Sequence, residues 1–248
     1  MADGLTLDPL LAENRRFYDT LWHDARLIGP ERFNTWPLVQ SLAAAPGLRL
    51  EVGAGLRPRL PMPGTVFADI SMPALRPLRA AGGRSIAGLV TALPFADAAF
   101  SLVCAMDIVE HVADDRAAFA ELARVSAPGA VLLLSVPLHQ SAWTEFDVAV
   151  GHHRRYDPAA LVAQLAAAGF TVEQSAPSGM LPRSSHLKNF GMWWLANHRE
   201  RAMWWYNRVF MPLGLRRAEP LALSPGLIPT DGVAGVLLVC RRTPTSTL

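Results

Sequence analysis

The chain has 248 residues, 51% of them hydrophobic, enough for one large domain with an ample core and an elaboration. Its formal charge of +2 excludes the strongly basic stripe of a phosphate-backbone binder, so no nucleic-acid partner is expected. The two cysteines, Cys104 and Cys240, fall in apolar strand-like runs without disulfide or metal-type spacing, and read as buried thiols.

The first residues, with Asp3, Asp8 and Glu13, lack a basic region followed by an apolar one, so no signal peptide is expected. No apolar run approaches the roughly 18 residues of a membrane span. A cytoplasmic location follows as the default expectation.

Pro9 to Ala45 reads as helical segments, interrupted near Gly29-Pro30 and at Pro37. Apolar runs then recur at Leu48–Val52, Thr65–Ile70, Arg84–Ala87, Phe100–Ala105 and Ala130–Val136, with helical patterns between several of them. Asp114 or Asp115 caps a helix carrying Phe119, Leu122 and Val125, and Ala127-Pro128-Gly129 stops it. Asp157-Pro158 starts another, with Leu161 and Leu165 inward and Gly169 at its end; a strand at Phe170–Gln174 follows. This alternation predicts a doubly wound α/β sheet.

The last strand-like run, Val233–Cys240, comes after an unusually long interval holding Trp193, Trp194, Trp204 and Trp205. In one helix the two Trp doublets would share a face. Arg199, Glu200, Arg201 and Arg208 scatter around the same wheel, however, so two shorter helices are expected. The segment reads as a lid over an apolar acceptor, with a lipid-facing patch and packing for a homodimer as alternatives. The expected organisation is an N-terminal helical cap (1–46), a core (47–177 and 232–242) and the Trp-rich insertion (178–231).

Chemistry concentrates where strands end. Leu48-Arg49-Leu50-Glu51-Val52-Gly53-Ala54-Gly55 is an apolar run closing on an acid and a Gly-x-Gly turn, which exposes bare main chain to a ligand. Asp69 ends the next run, where a carboxylate can accept both hydrogens of a ribose diol. Leu93-Pro94-Phe95, Phe100-Ser101-Leu102-Val103, Glu110-His111-Val112 and Ala127-Pro128-Gly129 follow in order.

That series resembles class I S-adenosylmethionine-dependent methyltransferases, in particular the broad small-molecule group. The resemblance covers roughly Leu48 to Gln174 and the final strand. It implies a seven-stranded Rossmann-like sheet with an antiparallel last strand, and S-adenosylmethionine as cofactor. Cofactor contacts then fall to Glu51, Gly53, Ala54, Gly55, Asp69, Ile70 and Asp107, with the adenine near Val90, Thr91 and Leu93. Three positions depart from the pattern. Pro58 stands at the third glycine, so the first helix must be short or start elsewhere; no acid precedes Leu93; and Ser101 replaces an aspartate. Pro58 also argues against a dinucleotide, whose Gly-x-Gly-x-x-Gly seats a pyrophosphate on the next helix.

For the acceptor side, Asp107 follows the fourth strand and is placed to orient or deprotonate the acceptor. His111 lies nearby, either there or as a hydrogen-bonded structural residue. In Gly151-His152-His153-Arg154-Arg155-Tyr156, His152 or His153 is a candidate base, Arg155 a clamp for an anionic group, and Tyr156 a neighbour or a brace. His139, Trp193 and Trp194 complete the substrate-side candidates. Adjacent His152 and His153 point apart, and no partner ligand sits at regular spacing, so no metal is expected. The expected reaction is methyl transfer to a hydroxyl or amine of a small metabolite, natural product or lipid-linked intermediate. The alternative is an accessory protein that kept the fold without turnover.

Overall fold

The computed structural model describes residues 9–23, 25–179, 190–191, 193–195 and 197–244. Asp3 and Asp8 lie outside them. Eight strands form one sheet: β1 (Arg49–Val52), β2 (Thr65–Asp69), β3 (Arg84–Ala87), β4 (Phe100–Met106), β5 (Ser126–Pro137), β6 (Phe170–Pro177), β7 (Ser224–Pro225) and β8 (Gly235–Arg242). Their spatial order is β3-β2-β1-β4-β5-β8-β6-β7. β1 to β5 pair in parallel, and β8 inserts antiparallel between β5 and β6. The sheet thus has eight strands, not seven. The extra one is a two-residue edge where Ser175 Oγ donates to Gly226 O and accepts from Ile228 N–H.

The central strands are buried on both faces, which is why they read as continuous apolar runs. Alternate residues serve opposite sides. Val103, Ala105, Leu132 and Leu134 pack with Phe119, Leu122 and Leu161, while Leu102, Cys104, Leu133 and Val239 pack with Val39 and Leu60. Two helices flank the site-bearing edge: α1 (Pro9–His23) lies across it and α2 (Trp36–Ala43) supplies Val39. α3 (Met72–Ala80) follows β2. α4 (Asp115–Val125) is capped by Asp114, whose carboxylate accepts from Ala117 N–H at 3.0 Å. α5 (Glu145–Val150) carries no periodic signal in the sequence; it begins on a Thr144–Asp147 capping box and ends at Gly151, φ +75°. α6 (Pro158–Ala167) starts at Asp157 as the sequence predicts.

The β1–β2 connection departs furthest from expectation. No helix forms between Gly53 and Gly64. Pro58, Pro61 and Pro63 deny it amide donors, and Glu51 takes the helix's place as organiser. Its carboxylate accepts from Arg59 N–H at 2.8 Å and from Leu60 N–H at 2.8 Å. Leu56 and Leu60 are fully buried, so the loop still contributes to the core.

In the insertion, the described residues from 190 to 197 are helical and a break falls at His198. Beyond it come α7 (Arg199–Trp205), a π-helical stretch (Tyr206–Phe210) and α8 (Met211–Arg216). The divided wheel of the sequence matches this break. Among the described residues, no helix is long and apolar enough to cross a membrane.

Candidate cofactor and acceptor site

The strand order reverses between β1 and β4, and the crevice of such a sheet opens at the carboxyl ends there. A cavity of about 190 Å³ sits at that point, walled by Gly53, Ala54, Gly55, Asp69, Ile70, Val90, Asp107 and His111. Gly53 and Gly55 hold φ of +70° and +54°. A Cβ on Gly53 would stand 2.0 Å from Ile108 Cδ1, and one on Gly55 2.2 Å from the Trp22 ring. The positive φ therefore favours glycine at both positions, and at Gly55 the Trp22 ring also fills the space a Cβ would need.

Asp69 ends β2 with its carboxylate at the turn. One oxygen accepts from Gly55 N–H at 2.9 Å and the other from Ser71 N–H at 2.8 Å. Burial pushes its pKa up and these amides pull it back. A carboxylate has about four lone-pair sites, so capacity remains for a ribose diol. Glu51 also borders the cavity, but its oxygens serve the 59–60 amides; burial lifts its pKa to about 7 against those bonds. The bare turn, the ribose-ready acid and the apolar Val90 side together fit an adenosyl sulfonium.

The cavity is smaller than the roughly 300–1,000 Å³ of ordinary ligand pockets. α1 supplies the reason. Tyr18 and Trp22 lie against it, their rings 5.9 Å apart and stacked, and Arg57 sits over Trp22 at 5.0 Å. Arg57 in turn donates to Asn207 Oδ1 at 2.7 Å, and Asn207 donates to Leu21 O at 2.9 Å. Helix α1, the 53–64 loop and the insertion thus lock together over the crevice. The sequence predicts only an N-terminal helical cap here, and the roles of Tyr18, Trp22, Arg57, Asn207 and Asn14 emerge in the structure. The aromatic run of α1 is the available signal.

Asp107 lies at the polar end of the cavity with φ +54°, unusual for a non-glycine residue. Its Oδ1 accepts from Ser135 Oγ at 2.8 Å, which fixes the carboxylate. His111 is 5% exposed, and burial drives its pKa to about 3, so it is a neutral imidazole. Behind it, His152 Nδ1 meets Asp147 Oδ1 at 2.8 Å. Burial alone would raise the Asp147 carboxyl, but bonds from His152, Arg155 and Thr144 hold it well below the usual range.

Other candidates lie elsewhere. Arg155 is committed to Asp147 through two bonds of 2.9 Å, so it braces the loop rather than facing an anionic ligand. Tyr156 is buried in the core. His139 Nε2 donates to Thr230 O at 2.8 Å, and Leu93 N–H donates to Glu121. Neither His139, Leu93, Thr91, His152 nor His153 borders the cavity; Leu89 and Gly88 do, beside Val90. Trp193 is 55% exposed and Trp194 half-buried, and neither reaches the cavity.

Residues 52–134 match the model of a family described as a methyltransferase domain. No curated protein matches the chain. Among solved structures, an S-adenosylmethionine-dependent methyltransferase of Thermotoga maritima aligns with TM-score 0.54 and 14% identity, over 94% of this chain and 92% of that one. A phosphoethanolamine N-methyltransferase of Haemonchus contortus, in complex with S-adenosylhomocysteine, gives 0.53 and 14%, over 97% and 59%. An S-adenosylmethionine-dependent methyltransferase of Mesorhizobium loti gives 0.50 and 15%, over 86% and 100%. At these identities the structural likeness carries the fold alone, and the family match carries the methyltransferase domain of residues 52–134. Residues 52–134, about a third of the chain, thus match a methyltransferase domain, and the chain as a whole has the fold of S-adenosylmethionine-dependent methyltransferases, which points to S-adenosylmethionine as the cofactor.

Proposed function

We propose that the enzyme methylates a hydroxyl or amine of a small or lipid-linked amphiphilic acceptor held against Asp107 and His111. The observation that supports this most is the polar end of the cofactor cavity. The Asp107 carboxylate, fixed by Ser135 Oγ, and the His111 imidazole both line that cavity, together with the bare Gly53–Gly55 turn. The cofactor supplies an electrophilic methyl on a sulfonium. The chain's own part is positioning: Gly53 and Gly55 give main chain to the methionyl end, Asp69 holds the ribose, and Asp107 orients the acceptor. Rate comes chiefly from bringing the partners in line in a dry site.

Closure of that site falls to α1. With Tyr18 and Trp22 narrowing the cavity to about 190 Å³, cofactor entry requires α1 to shift. Trp22 fluorescence should therefore change when S-adenosylhomocysteine binds. A saturating signal lost in Trp22→Phe, with heat of binding retained, supports the reading; heat without any optical change contradicts the lid.

An amphiphilic acceptor is supported by the outer face of the insertion. Phe190, Trp193, Trp204, Trp205 and Phe210 of that segment are all exposed, as are Arg199, Arg201 and Arg208. Incubation with S-adenosylmethionine carrying a tritiated methyl, followed by phase partition of the products, decides between acceptor types. Label in the organic phase favours the lipid-linked acceptor, and label only in water removes it. A binding protein without turnover stays the second reading, favoured by the same narrow cavity; label in neither phase selects it.

A further inference from the structure

Glu110 and His111, just after β4, meet His152, just after α5, behind the cavity, where one potential ligand atom from each lies within 4.8 Å of the others. Glu110 is fully buried, and neither of its carboxylate oxygens has a hydrogen-bond partner. His152 Nε2 approaches Glu110 Oε1 only to 3.9 Å. His111 Nε2 is likewise buried without a partner. A buried carboxylate and a buried imidazole nitrogen without partners are costly, and a cation bound between the two residues would relieve both.

We infer that Glu110, His111 and His152 bind one divalent first-row transition-metal ion, open on one side to the acceptor. Two imidazoles and one carboxylate are a donor set for zinc, manganese or iron(II), and three protein ligands leave a position for water or substrate. The outer contacts suit the role. Asp147 holds His152 by Nδ1, which aims Nε2 at Glu110, as ligating histidines are commonly held. Two groups reach His111 Nδ1: the Asn14 amide at 2.8 Å and Gly151 O at 3.3 Å. Ligation through Nε2 requires the tautomer in which Nδ1–H donates to Gly151 O, so the Asn14 amide, whose N–H now donates to Nδ1, turns away from it when the ion binds. His111 belongs both to this cluster and to the cavity wall, so the ion would border the methyl-transfer site.

The role of the ion rests on the methyl-transfer reading, although its binding does not. An acceptor hydroxyl on the metal would lose its proton to solvent before α1 closes the site, because the cation stabilises the alkoxide. Its oxygen then forms the O–CH₃ bond as the S–CH₃ bond breaks, the pair going to sulfur to leave a neutral thioether. This narrows the acceptor to an oxygen nucleophile.

The test uses the full chain, stripped with chelator, desalted, equilibrated with Zn²⁺ or Mn²⁺, and passed through a gel-filtration column before elemental analysis. The native protein should retain one equivalent and melt higher with the ion present. His152→Ala and Glu110→Gln should lose retention and thermal shift together, and His153→Ala should keep both. Asp147→Asn, which leaves all three ligands, should weaken binding by about 10–100-fold. If His152→Ala fails to fold, Glu110→Gln carries the comparison. No retained ion in the native chain, or full retention in Glu110→Gln, overturns the proposal. S-adenosylhomocysteine titrated into the same stripped samples separates the two readings. Loss of that heat would count against the methyltransferase site and leave the metal result standing.

Discussion

The carboxyl edge of the sheet and the Trp-rich insertion solve opposite problems with the same chain. At the edge, main-chain amides from Gly55, Arg59, Leu60 and Ser71 are tied to just two carboxylates, Glu51 and Asp69. Each group there is held by its neighbours before any ligand arrives. The insertion instead carries large apolar side chains into solvent and meets the core through a few contacts, notably Asn207 to Arg57 and Met203 against Phe17 and Trp22. Preorganisation suits a cofactor that never changes. On the proposed reading of the insertion as a cover, adaptable apolar packing suits an acceptor that must enter and leave.

The largest effect separating the two regions is expected beneath the edge. Arg155→Ala leaves the fully buried Asp147 without its bidentate partner, and breaking such a pair costs about 3–5 kcal/mol. Urea unfolding should show the loss. A change below about 1 kcal/mol would mean that His152 and Thr144 alone satisfy Asp147.

Next comes the pH dependence of Glu51. Its folded pKa of about 7 lies above the ordinary 4.5, raised by burial against the Leu60 and Arg59 amides. The folded state therefore binds more protons than the unfolded one in between. The contribution is fully present below about pH 4.5 and is lost as pH rises through 7, up to about 3 kcal/mol. Between about pH 5 and 7 this one group tilts the stability profile by up to about 1.4 kcal/mol for each pH step of one, and Glu51→Gln should remove that tilt. A variant with the native slope would assign the pH dependence elsewhere.

A smaller effect is expected at the seam between the regions. Asn207→Ala removes the bonds to Arg57 and Leu21 O, about 1 kcal/mol or somewhat more. It should loosen α1 and raise the acceptor KM more than it weakens S-adenosylhomocysteine binding. Equal losses of both would make the insertion part of the cofactor site. Smallest in stability, within about 0.5 kcal/mol, are Trp193→Ala and Trp204→Ala on the exposed face. If that face meets lipid, the pair of changes abolishes co-sedimentation with anionic vesicles, and unchanged co-sedimentation rejects a lipid-facing role.

What the sequence disclosed follows the same division. β1, β2, β4 and β5 were legible because strands buried on both faces must be apolar throughout, and the Gly53 and Asp69 ends because their chemistry admits few residue types. The absent β1–β2 helix was also written, in Pro58, Pro61 and Pro63, but the expectation of an ordinary crossover outweighed it. β7 is too short to leave a pattern. The Glu110–His111–His152 cluster was invisible for a different reason. Its members are brought together by Asn14 of α1, the turn at Gly151 and the His153 N–H bond to Glu110 O, so their convergence is a property of packing rather than spacing. Arg155 and Tyr156 looked like ligand groups because a buried brace and a binding side chain use the same residue types.

Calorimetric titration of S-adenosylhomocysteine into the native chain and into Asp69→Ala addresses the cofactor assignment most directly. Saturable one-to-one binding by the native chain, weakened about 100-fold in the variant (about 2.7 kcal/mol), is the predicted result. Absence of heat in the native chain, or equal affinity in the two, would contradict the placement of the adenosyl group at the ends of β1 and β2.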